Sequence, residues 1–156
     1  MRPSGWIYEP EYSRIKSIMP LPCVDLLVTY KGKILVMKRN NPPLKNKWFT
    51  PGSRVLLGES LEDAVKRTLK EETGLTAIRI IQKGTMSQIY RELQAITTFY
   101  LVEVSDDRVV MNEEHSSFKW ITIDDETHPY VKDMINTSKI FETYELLHTP
   151  LHQLVI

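Results

Sequence analysis

The chain predicts an α/β fold, an α/β/α sandwich with a mixed β-sheet. Apolar runs of strand length, one long capped helix between two groups of strands, and helical patterns at both ends together predict it. At 156 residues, with 42% hydrophobic and 26% charged content, the chain is read as one domain with a sizeable core. Its first 20 residues form an N-terminal helical extension in this reading. Twenty basic and twenty acidic residues leave no net charge, so nucleic acid is not expected as a partner and phosphate recognition falls to local arginines. The lone Cys23 forbids an internal disulfide, and the N-terminus carries no hydrophobic signal core; both point to the cytoplasm. The longest apolar stretch, residues 18–30, contains two prolines and Asp25 and is too short to span a bilayer, so no membrane partner is expected.

Residues 8–19 read as a short amphipathic helix through Tyr12, Ile15, Ile18 and Met19, a packing or dimerisation element stopped by the prolines at 20 and 22. Residues 23–30 and 33–38 are apolar runs separated by Lys31-Gly32, which predicts a hairpin. The Asn-Asn-Pro-Pro segment at 40–43 breaks regular structure, and 47–50 read as a short strand. After the central helix come strands at 77–90 and 94–104, the second carrying Ile96, Thr98, Tyr100 and Val102 in alternation, and a further strand at 118–121. The tail reads as a loop through His128-Pro129 and then a helix over 137–147. His128, His148 and His152 lack any chemical context and are read as structural. Trp48, Tyr90 and Tyr100 are read as core aromatics in preference to stacking platforms.

Residues 51–75, PGSRVLLGESLEDAVKRTLKEETGL, carry the chemistry. Ser60 with Asp63 three residues on is an N-cap signature, Leu61, Ala64, Val65 and Leu69 form a buried stripe, and Gly74 closes the helix. Thr68, Glu71 and Glu72 then lie within one turn, with Arg67 four residues before Glu71. Read alone, that run is a solvated face with a surface ion pair.

Glu59, Arg67, Leu69, Glu71, Glu72, Gly74 and Leu75 fall in register on a known pattern, and the segment resembles the Nudix box. Two positions depart from it: Ser53 stands where the pattern has glycine, and Thr68 where it has the first glutamate. Threonine carries no negative charge and accepts no proton at neutral pH. The resemblance covers residues 20–135 and implies the Nudix α/β/α layout, a small-molecule nucleotide substrate and magnesium, with manganese as the alternative ion. It implies metal ligation by Glu72 and Glu71, with Glu114 and Gly52 completing the set, and bracing of the loop by Glu59 through Arg67. Lys38-Arg39-Asn40-Asn41-Pro42, Trp48-Phe49, Pro51-Gly52 and the placement of Asp25 resemble the GDP-mannose mannosyl hydrolase branch, which tolerates loss of the glutamate at position 68.

That resemblance implies that His115 activates water for attack on the anomeric carbon, that Asp25, Arg39 and Arg54 bind substrate, and that Arg39, Arg54 and Arg67 draw charge onto the departing diphosphate. It further implies a homodimer. Two alternatives stay open: a pyrophosphohydrolase whose water attacks phosphorus, with a nucleoside triphosphate or dinucleotide as substrate, and a catalytically idle module that binds nucleotide or a partner protein.

Overall fold

The computed structural model describes residues 5–139. Helix α1 (Glu11–Ile18) precedes strands β1 (Leu21–Tyr30), β2 (Lys33–Arg39), β3 (Trp48–Phe49) and β4 (Gly52–Arg54). Helix α2 (Leu61–Thr73) leads to β5 (Ala77–Ile89), β6 (Gln94–Val104), β7 (His115–Ile121) and helix α3 (Pro129–Ser138). The sheet runs β3-β2-β1-β6-β5, with β4 paired to β1 and β7 paired to β2. Only β1 and β6 are parallel among these pairings, so the sheet is mixed.

The apolar runs at 26–28 of β1 and 34–37 of β2 follow from burial on both faces, as in other sheets covered by helices on each side. Val24, Leu26, Val28, Leu35 and Met37 point to α2 and pack with its Ala64, Val65 and Leu69. Leu27, Ile34 and Val36 point the other way, to Val131, Met134 and Ile135 of α3. Period-two alternation therefore divides one hydrophobic run between two cores. Among the described residues no helix is long and apolar enough to cross a membrane.

Four elements differ from the sequence expectation. Strand β4 lies within what read as a loop, because three residues are too few to show a period. Strand β7 begins at His115 rather than at 118, so His115 is a strand residue and not a loop residue. The His128-Pro129 segment starts a helix instead of a loop: the His128 ring nitrogen Nδ1 accepts the Tyr130 amide as an N-cap, and proline occupies the first turn, where its missing donor costs nothing. The helix expected over 137–147 meets the described residues only at 137–139, and the rest of it lies outside them, as do His148 and His152. In α1, Tyr12 and Ile15 turn partly inward, but Ile18 and Met19 stay exposed, so half of the expected stripe is unburied.

Candidate metal and phosphate site

Helix α2 aims the site. Its Ser60 hydroxyl accepts the Asp63 amide at 3.1 Å, and Gly74 adopts a left-handed φ of 70° at the C-cap. Between these ends Thr68 and Glu72, one turn apart, lie on the buried face beside Ala64, Val65 and Leu69. Successive helical residues diverge by about 100°, so Glu71 and Glu72 do not project from one spot. Glu72 is 3% exposed, whereas the Glu71 side chain is 53% exposed and meets Arg67 at 3.4 Å.

The partners of Glu72 come from distant sequence. Strand β7 pairs with β2 so that His115 stands opposite Arg39, and Asn40 ties the preceding loop down through bonds to the Glu113 and Glu114 carbonyls. His115 Nε2 lies 2.9 Å from Glu72 Oε2, and the Gly52 amide donates to the same oxygen at 3.3 Å. Ligand atoms of Glu72, Glu114 and His115 lie within 4.8 Å of one another. Burial pushes the Glu72 carboxyl up from its usual range; the His115 hydrogen bond opposes this, and the Glu114 charge adds to it. Two carboxylates gathered in this way suit a hard divalent cation, which takes oxygen donors and offsets their repulsion. An ionised Glu72 only accepts, so Nε2 donates toward it, while Nδ1 is buried without a hydrogen-bond partner among the described residues.

Arg67 serves the loop. It grips Glu59 through Nε at 2.5 Å and Nη2 at 2.9 Å, and Nη2 also donates to the Arg54 carbonyl at 3.0 Å. Glu59 in turn accepts the Leu56 amide, and the paired arginine holds its carboxyl below the usual range. The guanidinium implied to act on diphosphate is thus committed first to a carboxylate. Arg39 donates to the Pro43 carbonyl at 2.7 Å, and Arg54 to the Gly5 carbonyl at 3.1 Å. Both keep further N–H groups for an anion.

Two clefts of about 160 and 230 Å³ meet at a shared wall that includes Tyr12, Arg39, Gly52 and Arg54. Each alone is smaller than the roughly 300–1,000 Å³ of a ligand pocket. Glu71, Glu72 and Glu114 border the larger cleft; Asp25, Gln88 and Tyr90 border the smaller. Asp25 is buried, and its carboxyl is pushed up to about 7 chiefly by that burial, against the opposing hydrogen bond from Gln88 at 2.8 Å. Thr97 and Tyr90 donate to the Gln88 carbonyl, which fixes the amide with its NH2 toward Asp25. A Cβ at position 52 would stand 2.1 Å from Asp25 Oδ1, so only glycine fits there.

Gln88 and Thr97 escape the sequence reading, although each is a polar residue facing the interior of an otherwise ordinary strand. The contact between Ser53 Oγ and Thr68 Oγ1, at 2.5 Å, also escapes it: the two departures from the box pattern touch each other.

A central mixed sheet, a capped helix bearing a buried glutamate and a cleft of arginines and carboxylates form a candidate site for a divalent cation and an anionic ligand. The NUDIX domain family profile matches residues 19–141, and the chain belongs to the Nudix hydrolase family. It is 31% identical over 140 residues to a low-salt glycan biosynthesis protein, Agl8, of Haloferax volcanii, covering 84% of this chain and 90% of that one. It is 46% identical to an ADP-ribose pyrophosphatase of Methanocaldococcus jannaschii over 56 residues, 36% of this chain and 33% of that protein. The fold is similar to the crystal structure of a MutT protein from Methanosarcina mazei, with TM-score 0.71 and 27% identity over 80% of this chain and 97% of that one.

Proposed function

We propose that this Nudix hydrolase acts on a nucleoside diphosphate sugar of the GDP-mannose type, releasing the nucleoside diphosphate and the free sugar. The observation that carries this reading is position 68. There the helix face that bears Glu72 offers a neutral hydroxyl already bonded to Ser53, which leaves the site one carboxylate short for attack on phosphorus. Glu72 and Glu114 would hold a magnesium or manganese ion, with the Gly52 backbone beside them and Glu71 reaching the ion from the cleft wall once released from Arg67. Bound there, the ion supplies positive charge that makes the diphosphate a better leaving group. Arg39 and Arg54 fork onto diphosphate oxygens from the shared wall of the two clefts, and Arg67 holds the loop that carries Arg54. Asp25, with Gln88 behind it, accepts a sugar hydroxyl. His115, held on Glu72 through Nε2, takes the proton of the attacking water. With so good a leaving group, the proton-donating acid of ordinary glycosidases is dispensable. Similarity over 90% of a protein named for glycan biosynthesis supports a sugar-containing substrate. A homodimer through the exposed Ile18 at the end of α1 and Met19 just after it completes the proposal.

A second reading, pyrophosphohydrolysis, is favoured by one observation: the His115 side chain is 1% exposed and held on Glu72, a place suited to orienting a ligand. Similarity to proteins named ADP-ribose pyrophosphatase and 8-oxo-dGTP diphosphatase supports it too. Turnover of GDP-mannose with magnesium in ¹⁸O-water decides between them. The proposal expects label in the sugar and GDP by phosphorus NMR; label in phosphate with GMP replaces it by the second reading. Saturable nucleotide binding without turnover of any member of a broad nucleotide panel replaces both by an idle binding module.

A further inference from the structure

We propose that Ser53 and Thr68 form one uncharged strut between β4 and α2, which positions the Gly52 amide and the Arg67–Glu59 pair around Glu72. The inference rests on Glu72 being a metal ligand. Threonine inside a helix commonly turns its hydroxyl back to a carbonyl four residues earlier, as Thr73 does to Leu69. Thr68, fully buried, instead bonds across to Ser53 Oγ at 2.5 Å. The same oxygen lies 3.4 Å from Arg67 Nη2, so a polar chain runs Glu59–Arg67–Ser53–Thr68.

The strut matters because β4 is only three residues long and, among the described residues, is held laterally by β1 alone. Gly52, Ser53 and Arg54 are consecutive, and each meets the site: Gly52 donates to Glu72, Ser53 holds Thr68, and the Arg54 carbonyl accepts Arg67. The Gly52–Glu72 bond is long at 3.3 Å and depends on the spacing between strand and helix. Thr68 precedes Glu72 by one helical turn on the same buried face, so the strut fixes that spacing where it bears on the ligand. A carboxylate at position 68 would put a second negative charge one turn from Glu72. The hydroxyl pair and a third carboxylate are therefore alternative uses of the same volume.

The test uses the full chain with Ser53→Ala, Thr68→Val, the double variant and Thr68→Ser. Manganese affinity is read by electron paramagnetic resonance, and the thermal midpoint is read in EDTA. Each single substitution is expected to weaken manganese binding about tenfold, in the range for a group that orients a ligand. The double variant is expected to lose no more than either single one, since both remove the same bond, and Thr68→Ser to bind as the parent does. Additive losses, or unchanged affinity with a lowered midpoint, would show a merely structural pair and overturn the proposal. Thr68→Glu is expected to bind one ion more weakly; binding of two ions would also overturn it. Glu72→Gln binding manganese as tightly as the parent would remove the metal reading itself, an outcome independent of which nucleotide, if any, is turned over.

Discussion

Asp25 is a carboxyl that folding makes harder to ionise. Burial raises it from 3.8 to about 7, with the Glu72 charge adding to the effect and Gln88 and Arg39 opposing it. Because the folded-state value is the higher one, its contribution to stability is complete below about pH 4 and is lost as pH rises through about 7. Urea unfolding in EDTA across that window is expected to show a decline on the order of a few kcal/mol. Asp25→Asn keeps an acceptor for the Gln88 amide and removes the titration, so its profile is expected to be flatter and its stability at pH 8 higher. Activity is expected to move the opposite way, falling with the lost carboxylate. At Glu72 the expectation concerns function instead: Glu72→Gln leaves a buried neutral amide and should reduce kcat/KM by more than about 100-fold, the upper end of the cost of losing a partner that merely orients a ligand. His115→Ala separates the two functional readings. Loss of the base costs about 10² to 10⁴ in kcat, whereas loss of an orienting partner appears first as weaker metal affinity in a magnesium titration of rate.

Helix α2 holds its end of the site through local chemistry that can be altered without touching a ligand. Ser60→Ala removes the N-cap and is expected to cost about 1 kcal/mol in urea unfolding, with manganese affinity unchanged. Gly52→Ala acts on the facing element. Its Cβ would lie 2.1 Å from Asp25 Oδ1 and 2.8 Å from the Val24 carbonyl, so β4 must separate from β1. Manganese binding is expected to fall with it, because the Gly52 amide leaves Glu72. The N-cap, the closing glycine and the stripe through Ala64, Val65 and Leu69 were legible, since a helix thirteen residues long repeats its pattern several times, but Leu61, expected in that stripe, is exposed in the first turn. Strand β4 was not, because its identity lies in pairing with Cys23, Val24 and Asp25 and not in its own three residues. The start of α3 misled for another reason: His128-Pro129 is a turn signal when read alone, and a cap plus a first-turn proline when a helix follows.

At the scale of the whole molecule the sheet separates two cores, and the site lies at one end of the α2 side. Leu69 is 1% exposed, packs in that core, and sits between Thr68 and the glutamates on the same helix. Leu69→Ala is expected to cost about 2–5 kcal/mol in urea unfolding. The loss should propagate to manganese affinity, unlike that of an equally buried Val131→Ala on the α3 side. The parallel pairing of β1 with β6 brings residues some seventy positions apart into register, and Asp25 meets Gln88 only because β5 then pairs with β6.

Local pattern alone determined the α/β class, the central capped helix, the register of Glu59, Arg67, Glu71 and Glu72, and the neutral residue at position 68. Each of these is carried by spacing along one helix or strand, which the backbone period converts directly into a face. Tertiary structure decided which glutamate is buried, that His115 rests on Glu72, that Arg67 is spent on Glu59, and that Ser53 and Thr68 are one bonded pair. Those facts depend on contacts between elements far apart in the chain, and such contacts leave no periodic trace in the residues that make them.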